Sequence, residues 1–333
     1  MTDRPSAISP PIHEIRRLLD RSRRVLVASH VDPDGDAIGS QLAFGAFLRQ
    51  LGKEVFLVRE AEIPGKYRFL TGVDQIRPFD DFPSDFTVDT AVVLECPTTD
   101  RVGRAACFLT GDIQILNIDH HYDSGTFGTV NWIDPTKSSV GEMAFELFDE
   151  YGYAFPPDVA EQLYTAILTD TGRFRFPSTS SRTMDIVGRL IAAGANPKKI
   201  TDDVYFRLSA PTMKLMGRVL STIEFHDDNR ICLLSLTRQM LEETGADLSD
   251  SDGLVDFAMF CDTVEIGGLL KEHNGRTRVS LRSRDSINVA DVAAEFGGGG
   301  HFNAAGCTIP SALPDARKHL IEVLKSARRS RKK

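Results

Sequence analysis

The chain is poor in everything that would tie it to an oxidising compartment, a membrane or a long nucleic acid. Its 333 residues include five cysteines, Cys96, Cys107, Cys232, Cys261 and Cys307, odd in number, widely spaced and without a CxxC pair. This argues against a disulfide framework and a thiolate zinc site, and for small core residues in a reducing compartment. No apolar run is long enough to span a bilayer, and Met1 to Pro11 lacks the apolar core of a signal peptide. A cytoplasmic location without membrane contact is therefore expected. Positive charge is scarce too: 39 Lys and Arg stand against 47 Asp and Glu, a net charge of −8. That balance weighs against a surface that grips long duplex nucleic acid, which needs many cationic contacts to phosphate. It leaves room for a small phosphorylated substrate, because bound divalent cations reverse the sign of an acidic pocket.

The hydrophobic content of 41% and charged content of 26% belong to a globular protein, and the length implies about two domains. The first half alternates strand-like and helix-like segments. Arg24 to Ser29, Val55 to Val58, Thr90 to Cys96 and Ile113 to Ile118 read as short buried strands. Ala37 to Leu51 has helical spacing closed by Gly52, and Val140 to Tyr151, Pro157 to Leu168 and Thr183 to Ala193 follow as helices. This alternation predicts an α/β domain, a parallel sheet with helices on both faces, spanning residues 1–196. Residues 197–212 are expected to link it to a smaller α+β domain over 213–325, with a basic tail at 326–333. The tail ends Ser330-Arg331-Lys332-Lys333. A cleft between the two domains is the expected place for substrate. The acidic run 247–253 lacks the later Glu of an EF-hand loop and reads as a solvated loop.

The densest chemistry lies in Ser29-His30-Val31-Asp32-Pro33-Asp34-Gly35-Asp36, directly after the first strand. His30, Asp34 and Asp36 offer one imidazole and two carboxylates from a single strand-to-helix turn, with Gly35 allowing a tight bend between the acids. A helix N-cap needs one Asp rather than three acids and a His, so half of a metal site is the better reading. A second half, Asp119-His120-His121, comes after another strand. Glu95 ends a third strand-like run, and Asp170 ends an apolar helix, where the helix dipole disfavours a carboxylate unless a cation compensates. Two His and four carboxylates without thiolate suit Mn²⁺, with Mg²⁺, Co²⁺ or Fe²⁺ as alternatives. Two such ions about 3.5–4 Å apart clamp an in-line displacement at phosphorus.

The blocks SHVDPDGDAIGS, AVVLECPTTDRVG, NIDHHYDSGTFG, LYTAILTDTGRF and GGGGHFNAAG, in this order, resemble the DHH phosphoesterase superfamily with a DHH-associated C-terminal domain. More closely they resemble the bacterial bifunctional oligoribonuclease/PAP phosphatases, the nano-RNase branch related to RecJ. The resemblance covers about residues 14–310. It implies two divalent cations, one on His30, Asp34 and Glu95, the other on Asp36, Glu95, His120 and Asp170, with Glu95 bridging. It gives His121 to the substrate phosphate as hydrogen-bond donor or acid, alongside Asp34 and Asp36 in the catalytic centre. Glu95 departs from the Asp usual in the family; one methylene longer, it bridges if its backbone sits further back. Asp32 stands where Asn is common and is read as lying behind the ligands. In the second domain the resemblance implies a nucleotide-end site made by Gly298, Gly299, Gly300 and His301, with Arg282 and Ser283 adding a grip on phosphate.

The implied activity is hydrolysis of short single-stranded RNA or DNA to 5′-mononucleotides and removal of the 3′-phosphate of 3′-phosphoadenosine 5′-phosphate, by a monomer or homodimer. Competing readings are breakdown of cyclic dinucleotides or of linear pApA or pGpG, a manganese-dependent pyrophosphatase, and a silent nucleotide sensor in which Glu95 has spoiled the bridge. A long-strand exonuclease fits the acidic balance poorly.

Overall fold

The computed structural model describes residues 11–284 and 287–330; Met1–Pro10, the Arg331–Lys333 end of the tail and the side chains of His301 and Ser330 lie outside this description. The chain divides after Arg207 into two compact units. In the first, β1 (Arg24–Ala28), β2 (Glu54–Arg59), β3 (Ile76–Pro78), β4 (Thr90–Leu94), β5 (Gln114–Asp119) and β6 (Val130–Ile133) form a parallel sheet in the order β3-β2-β1-β4-β5-β6. The direction of winding reverses between β1 and β4, and ligands of such sheets bind beyond the strand ends at that reversal. β1 and β4 read as unbroken apolar runs because both faces are covered: Val25 and Val27 enter one core, Leu26 and Ala28 the other.

Coverage is uneven. Helices α1 (Ile12–Arg21), α2 (Gly35–Gln50), α3 (Val140–Glu150), α4 (Pro157–Asp170) and α5 (Ser181–Ala192) feed one core, where Phe44, Phe47, Phe145 and Phe148 are buried. The opposite face is closed by short 3₁₀ turns at Phe79–Asp81 and Thr99–Phe108, with Phe56, Phe82 and Phe86 packed against it. Long helices thus gather on one face only.

The contact between α2 and α4 depends on glycine. A Cβ at Gly35 would lie 2.4 Å from Thr169 Oγ1, and one at Gly39 would lie 2.4 Å from the Gln162 carbonyl oxygen. Gly35 therefore serves close helix packing rather than the bend expected of it. The same approach brings Asp170, at the end of α4, toward the first turn of α2. Gly39→Ala is expected to destabilise the protein by about 1–3 kcal/mol, since a backbone carbonyl cannot retreat as a side chain can. That outweighs the roughly 1 kcal/mol alanine gains over glycine within a helix. A lower urea midpoint for the variant is the check.

Residues expected to form a linker are largely helical. Asn196 caps α6 (Pro197–Thr201), a π-helical turn follows over Asp202–Phe206, and Ile200 and Val204 are buried in the first core. Their i, i+4 spacing is an apolar stripe that a solvated linker would not carry. The second unit begins with α7 (Ala210–Leu220). Its sheet contains β7 (Glu224–His226), β8 (Ile231–Leu236), β9 (Ile266–His273), β10 (Arg276–Ser283), β11 (Gly299–His301) and β12 (Ala304–Ile309) in the order β11-β12-β10-β9-β8-β7. Only β8 and β9 run parallel. Ile231 and Leu233 share a core with α9 (Val289–Ala294) and α10 (Leu313–Ser330), while Cys232 and Leu234 face α7 and the neighbouring α8 (Arg238–Thr244). Helix α10 continues to Ser330, so the expected tail starts later than residue 326. Arg328 is held by Asp227 and, at 2.9 Å, by Glu265. In the acidic run, Asp250 accepts from Asp247 N and the Thr212 hydroxyl, which spends its carboxylate on capping. Among the described residues, no helix is long and apolar enough to cross a membrane.

Candidate metal centre

Three strand ends and two helix ends converge at the β1/β4 reversal. His30 follows β1, Glu95 follows β4, and Asp119 closes β5 with His120 and His121 directly after it. Asp34 caps α2, its Oδ1 accepting from Ala37 N at 3.0 Å. The capping and ligand readings of Asp34 are therefore compatible. Ligand atoms of His30, Asp34 and Glu95 lie within 4.8 Å of one another, and so do those of Asp36, His120 and Asp170. A further group joins Glu95 to His120 and His121. His120 Nε2 sits 3.2 Å from Asp170 Oδ2 and 3.8 Å from Glu95 Oε1, so Glu95 stands between the first two groups.

Asp36 and His120 are fixed from behind. Asp36 is fully buried in the first turn of α2, and its carboxylate receives Val140 N at 2.6 Å and Gly141 N at 2.8 Å from the start of α3. Ser40 Oγ adds a third bond at 2.9 Å. A helix N-terminus thus holds an acid from another helix in place. His120 Nδ1 lies 3.2 Å from the Lys137 carbonyl, the contact that turns the ring so that Nε2 faces the acids. Glu95 adopts φ 57°, rare for a residue with a side chain, while its N–H still donates to Ile118 O at 3.0 Å. The chain turns sharply as β4 ends, and this accommodates the longer side chain. Asp32 is exposed and reaches His30 only through its charge.

Such a cluster of acids is unstable as bare anions. Burial, reinforced by the charge of Asp34, pushes the Asp36 carboxyl up to about 7. Burial and neighbouring carboxylates likewise push Glu95 and Asp170 well above the usual range. Burial drives His120 down to about 4, which keeps its ring neutral and able to ligate, and it lowers His30 as well. Glu95 Oε2 and His30 Nδ1 are buried without a hydrogen-bond partner among the described residues. Orphaned polar atoms beside stacked carboxylates fit divalent cations.

Asp119 does something different. Its Oδ1 accepts from His120 N at 2.8 Å and from His121 Nδ1 at 2.7 Å, and Ser124 Oγ bonds to its other oxygen. With its acceptor sites occupied and its side chain buried, it orients His121 rather than facing a cation. Burial opposes protonation of His121, but the Asp119 hydrogen bond and charge prevail and raise its pKa above 6.5. The sequence grouped Asp119 with His120 and His121 as half of a metal site, without a role of its own; the structure turns its carboxylate to His121.

The second-unit candidates are placed separately. Arg282 on β10 donates from Nε to Asp256 at 3.0 Å and from Nη1 to Leu281 O at 3.0 Å. Ser283 donates its hydroxyl proton to Ile287 O at 2.6 Å and accepts from Asn303 Nδ2 at 3.0 Å, which braces the loop. Gly298 and Gly300 are needed for packing, since a Cβ would come within 2.2 Å of Gly306 O and 2.6 Å of Ala304 O respectively. Only Gly299 of the three faces open space.

The comparisons agree with this architecture. The pattern of the DHH family, N-terminal domain, matches residues 24–167, and that of the DHHA1 domain matches 233–326. A relative from Thermus thermophilus, named bifunctional oligoribonuclease and PAP phosphatase NrnA, is 33% identical over 90% of this chain and 89% of its own length. A Bacillus subtilis protein of the same name is 27% identical over 90% and 93%. The crystal structure of an exopolyphosphatase-related protein from Bacteroides fragilis superposes with a TM-score of 0.87 at 28% identity, covering 95% of this chain and 94% of that one. RecJ from Thermus thermophilus, crystallised with Mn²⁺, shares the fold at TM-score 0.55 and 12% identity over 97% of this chain and 56% of its own. With its DHH domain followed by a DHHA1 domain, and a third of its residues shared with a curated relative along nearly the whole length, the chain belongs to the DHH phosphoesterase family.

Proposed function

We propose that this metal-dependent hydrolase cuts short oligonucleotides to 5′-mononucleotides and removes the 3′-phosphate of 3′-phosphoadenosine 5′-phosphate. The relatives named for both activities support the reading. The observation that carries it is the pair of three-residue ligand groups with Glu95 between them. His30, Asp34 and Glu95 would hold one divalent cation, and Asp36, Glu95, His120 and Asp170 the other. The imidazole-and-carboxylate donor set favours Mn²⁺, with Mg²⁺ or Co²⁺ as substitutes. Bound there, the cations supply a nucleophilic water of lowered pKa and positive charge against the phosphoryl oxygens.

The two substrates present the same bond. In both, water adds to phosphorus and the bond to the 3′-oxygen of a 5′-phosphorylated nucleoside breaks. That oxygen leaves needing a proton. His121, held through Nδ1 by Asp119, whose hydrogen bond and charge raise its pKa, would deliver a proton from Nε2 to the 3′-oxygen. Asp119→Asn is expected to lower kcat about 10- to 100-fold while metal content is unchanged, because only the orientation and charge of His121 are lost. Metal analysis beside steady-state kinetics separates that outcome from loss of a ligand.

In the second unit, the proposed contacts to the nucleotide end are Arg282 through Nη2 and the backbone around Gly298, Gly299, Gly300 and His301. Ser283 serves them by fixing the loop. Breakdown of cyclic dinucleotides has less behind it: a Listeria monocytogenes cyclic-di-AMP phosphodiesterase is 24% identical, and the match covers 48% of that protein. The test offers purified protein with Mn²⁺ four substrates separately: pApA, a five-nucleotide RNA, 3′-phosphoadenosine 5′-phosphate and pyrophosphate. AMP from the first and third, and 5′-mononucleotides from the second, are expected. Preferential turnover of pyrophosphate would overturn the reading.

A further inference from the structure

Arg101 stands beside the centre, its charge acting on the adjacent Asp100. Its residue is exposed, and its guanidinium forms no ion pair with any carboxylate among the described residues. This is notable in a neighbourhood that contains Asp32, Asp34, Asp100 and Asp119. An arginine among so many acids ordinarily pairs with one of them.

The backbone fixes where it stands. Val31 N donates to Arg101 O at 2.8 Å, tying this segment to the residue after His30. Two residues on, Gly103 adopts φ 70° and approaches Val31 so closely that a Cβ would lie 2.6 Å from Val31 Cγ1. On the other side, Gly125 N donates to Pro97 O at 2.8 Å, which joins the loop before Arg101 to the loop after His121. Arg101 is thus mounted on a braced rim that spans the ends of β1, β4 and β5.

We propose that Arg101 is a specificity-determining residue that grips the 5′-phosphate retained by the substrate, next to the phosphate being cleaved. This rests on the functional reading above and accounts for its double form. 3′-Phosphoadenosine 5′-phosphate and pApA differ only in whether the scissile 3′-phosphate carries a second nucleoside. Both keep a 5′-phosphate on the nucleoside whose 3′-oxygen leaves. One cation fixed beside the centre therefore reads both, and discriminates against nucleosides without that group. Because Arg101 pairs with none of the proposed cation ligands, it is available to the neighbouring phosphate rather than the scissile one. A guanidinium presents a fork that matches phosphate, so lysine is only a partial substitute.

The test compares kcat/KM for pApA against ApA, and for 3′-phosphoadenosine 5′-phosphate against 3′-AMP, in the full chain with Mn²⁺. Wild type should prefer the 5′-phosphorylated member of each pair. Arg101→Ala and the longer neutral Arg101→Gln should reduce that preference about 10- to 100-fold, mainly through KM, as expected for one charge-assisted contact. Arg101→Lys should restore part of it. The proposal is overturned if wild type shows no preference, or if Arg101→Gln lowers both members of a pair equally. Wild type that turns over neither pApA nor 3′-phosphoadenosine 5′-phosphate would overturn the functional reading, and this proposal with it.

Discussion

Replacing Asp36 with asparagine is expected to lower kcat by roughly 10³-fold or more, the scale on which loss of one electrostatic contact at a reacting centre acts. The residue is well suited to the experiment because its surroundings dictate how the amide must sit. Gly141 N and Ser40 Oγ donate to one carboxylate oxygen and Val140 N to the other, so the amide oxygen is expected to keep the first pair. The amide nitrogen then replaces the oxygen that met Val140 N, and as a donor it can neither accept that bond nor bind a cation. The shape of the side chain is kept, and Gly141 N and Ser40 Oγ keep their acceptor. Steady-state kinetics with metal content measured alongside should show activity lost together with bound metal. Retention of more than a tenth of wild-type kcat would mean that Asp36 is structural.

Removing the cations should make stability fall as pH rises. Asp36, Glu95 and Asp170 bind their protons more tightly in the folded metal-free protein than in the unfolded chain. The folded state therefore holds more protons, and each carboxyl contributes stability that is full below its unfolded value near 4 and lost as pH rises through its folded value. His30 and His120 are shifted downward and act in the opposite sense, but only where the unfolded imidazole is charged. Above about 6.5 that opposing effect ends, and His121, shifted upward, adds to the decline. With EDTA, Tm is expected to fall by about 5 °C or more between pH 6.5 and 8.5. Saturating Mn²⁺ should raise Tm most at the upper end, because the ligands must shed protons to bind. Parallel pH profiles with and without metal would show that these carboxyls do not form the cation site.

The sequence made the centre legible because its residues sit where β-strands end, and short apolar runs announce those ends. His30, Glu95 and His120 could each be placed beyond a strand without knowing the fold. Asp170 was visible as an acid at the wrong end of a helix. The supporting contacts were not legible. Nothing local reveals that Asp36 receives bonds from Val140 and Gly141, more than a hundred residues on, or that Gly35 exists to admit Thr169. Glycine runs are ambiguous for the same reason. GGGG reads as an anion-binding loop, yet Gly298 and Gly300 are required by the approach of Gly306 and Ala304 across a hairpin. The segment at 197–206 looked like a linker because Pro and Lys dominate its start, while the apolar spacing of Ile200 and Val204 was too short to stand out. Arg101 lay within a motif, and its place on the rim, with no ion pair among the described residues, was not legible from the sequence.

The most direct measurement of the central claim is anomalous diffraction at the manganese edge from crystals grown with Mn²⁺. Two peaks are predicted, one among His30, Asp34 and Glu95 and one among Asp36, Glu95, His120 and Asp170, with Glu95 touching both. A single peak, or peaks away from these side chains, would contradict the account.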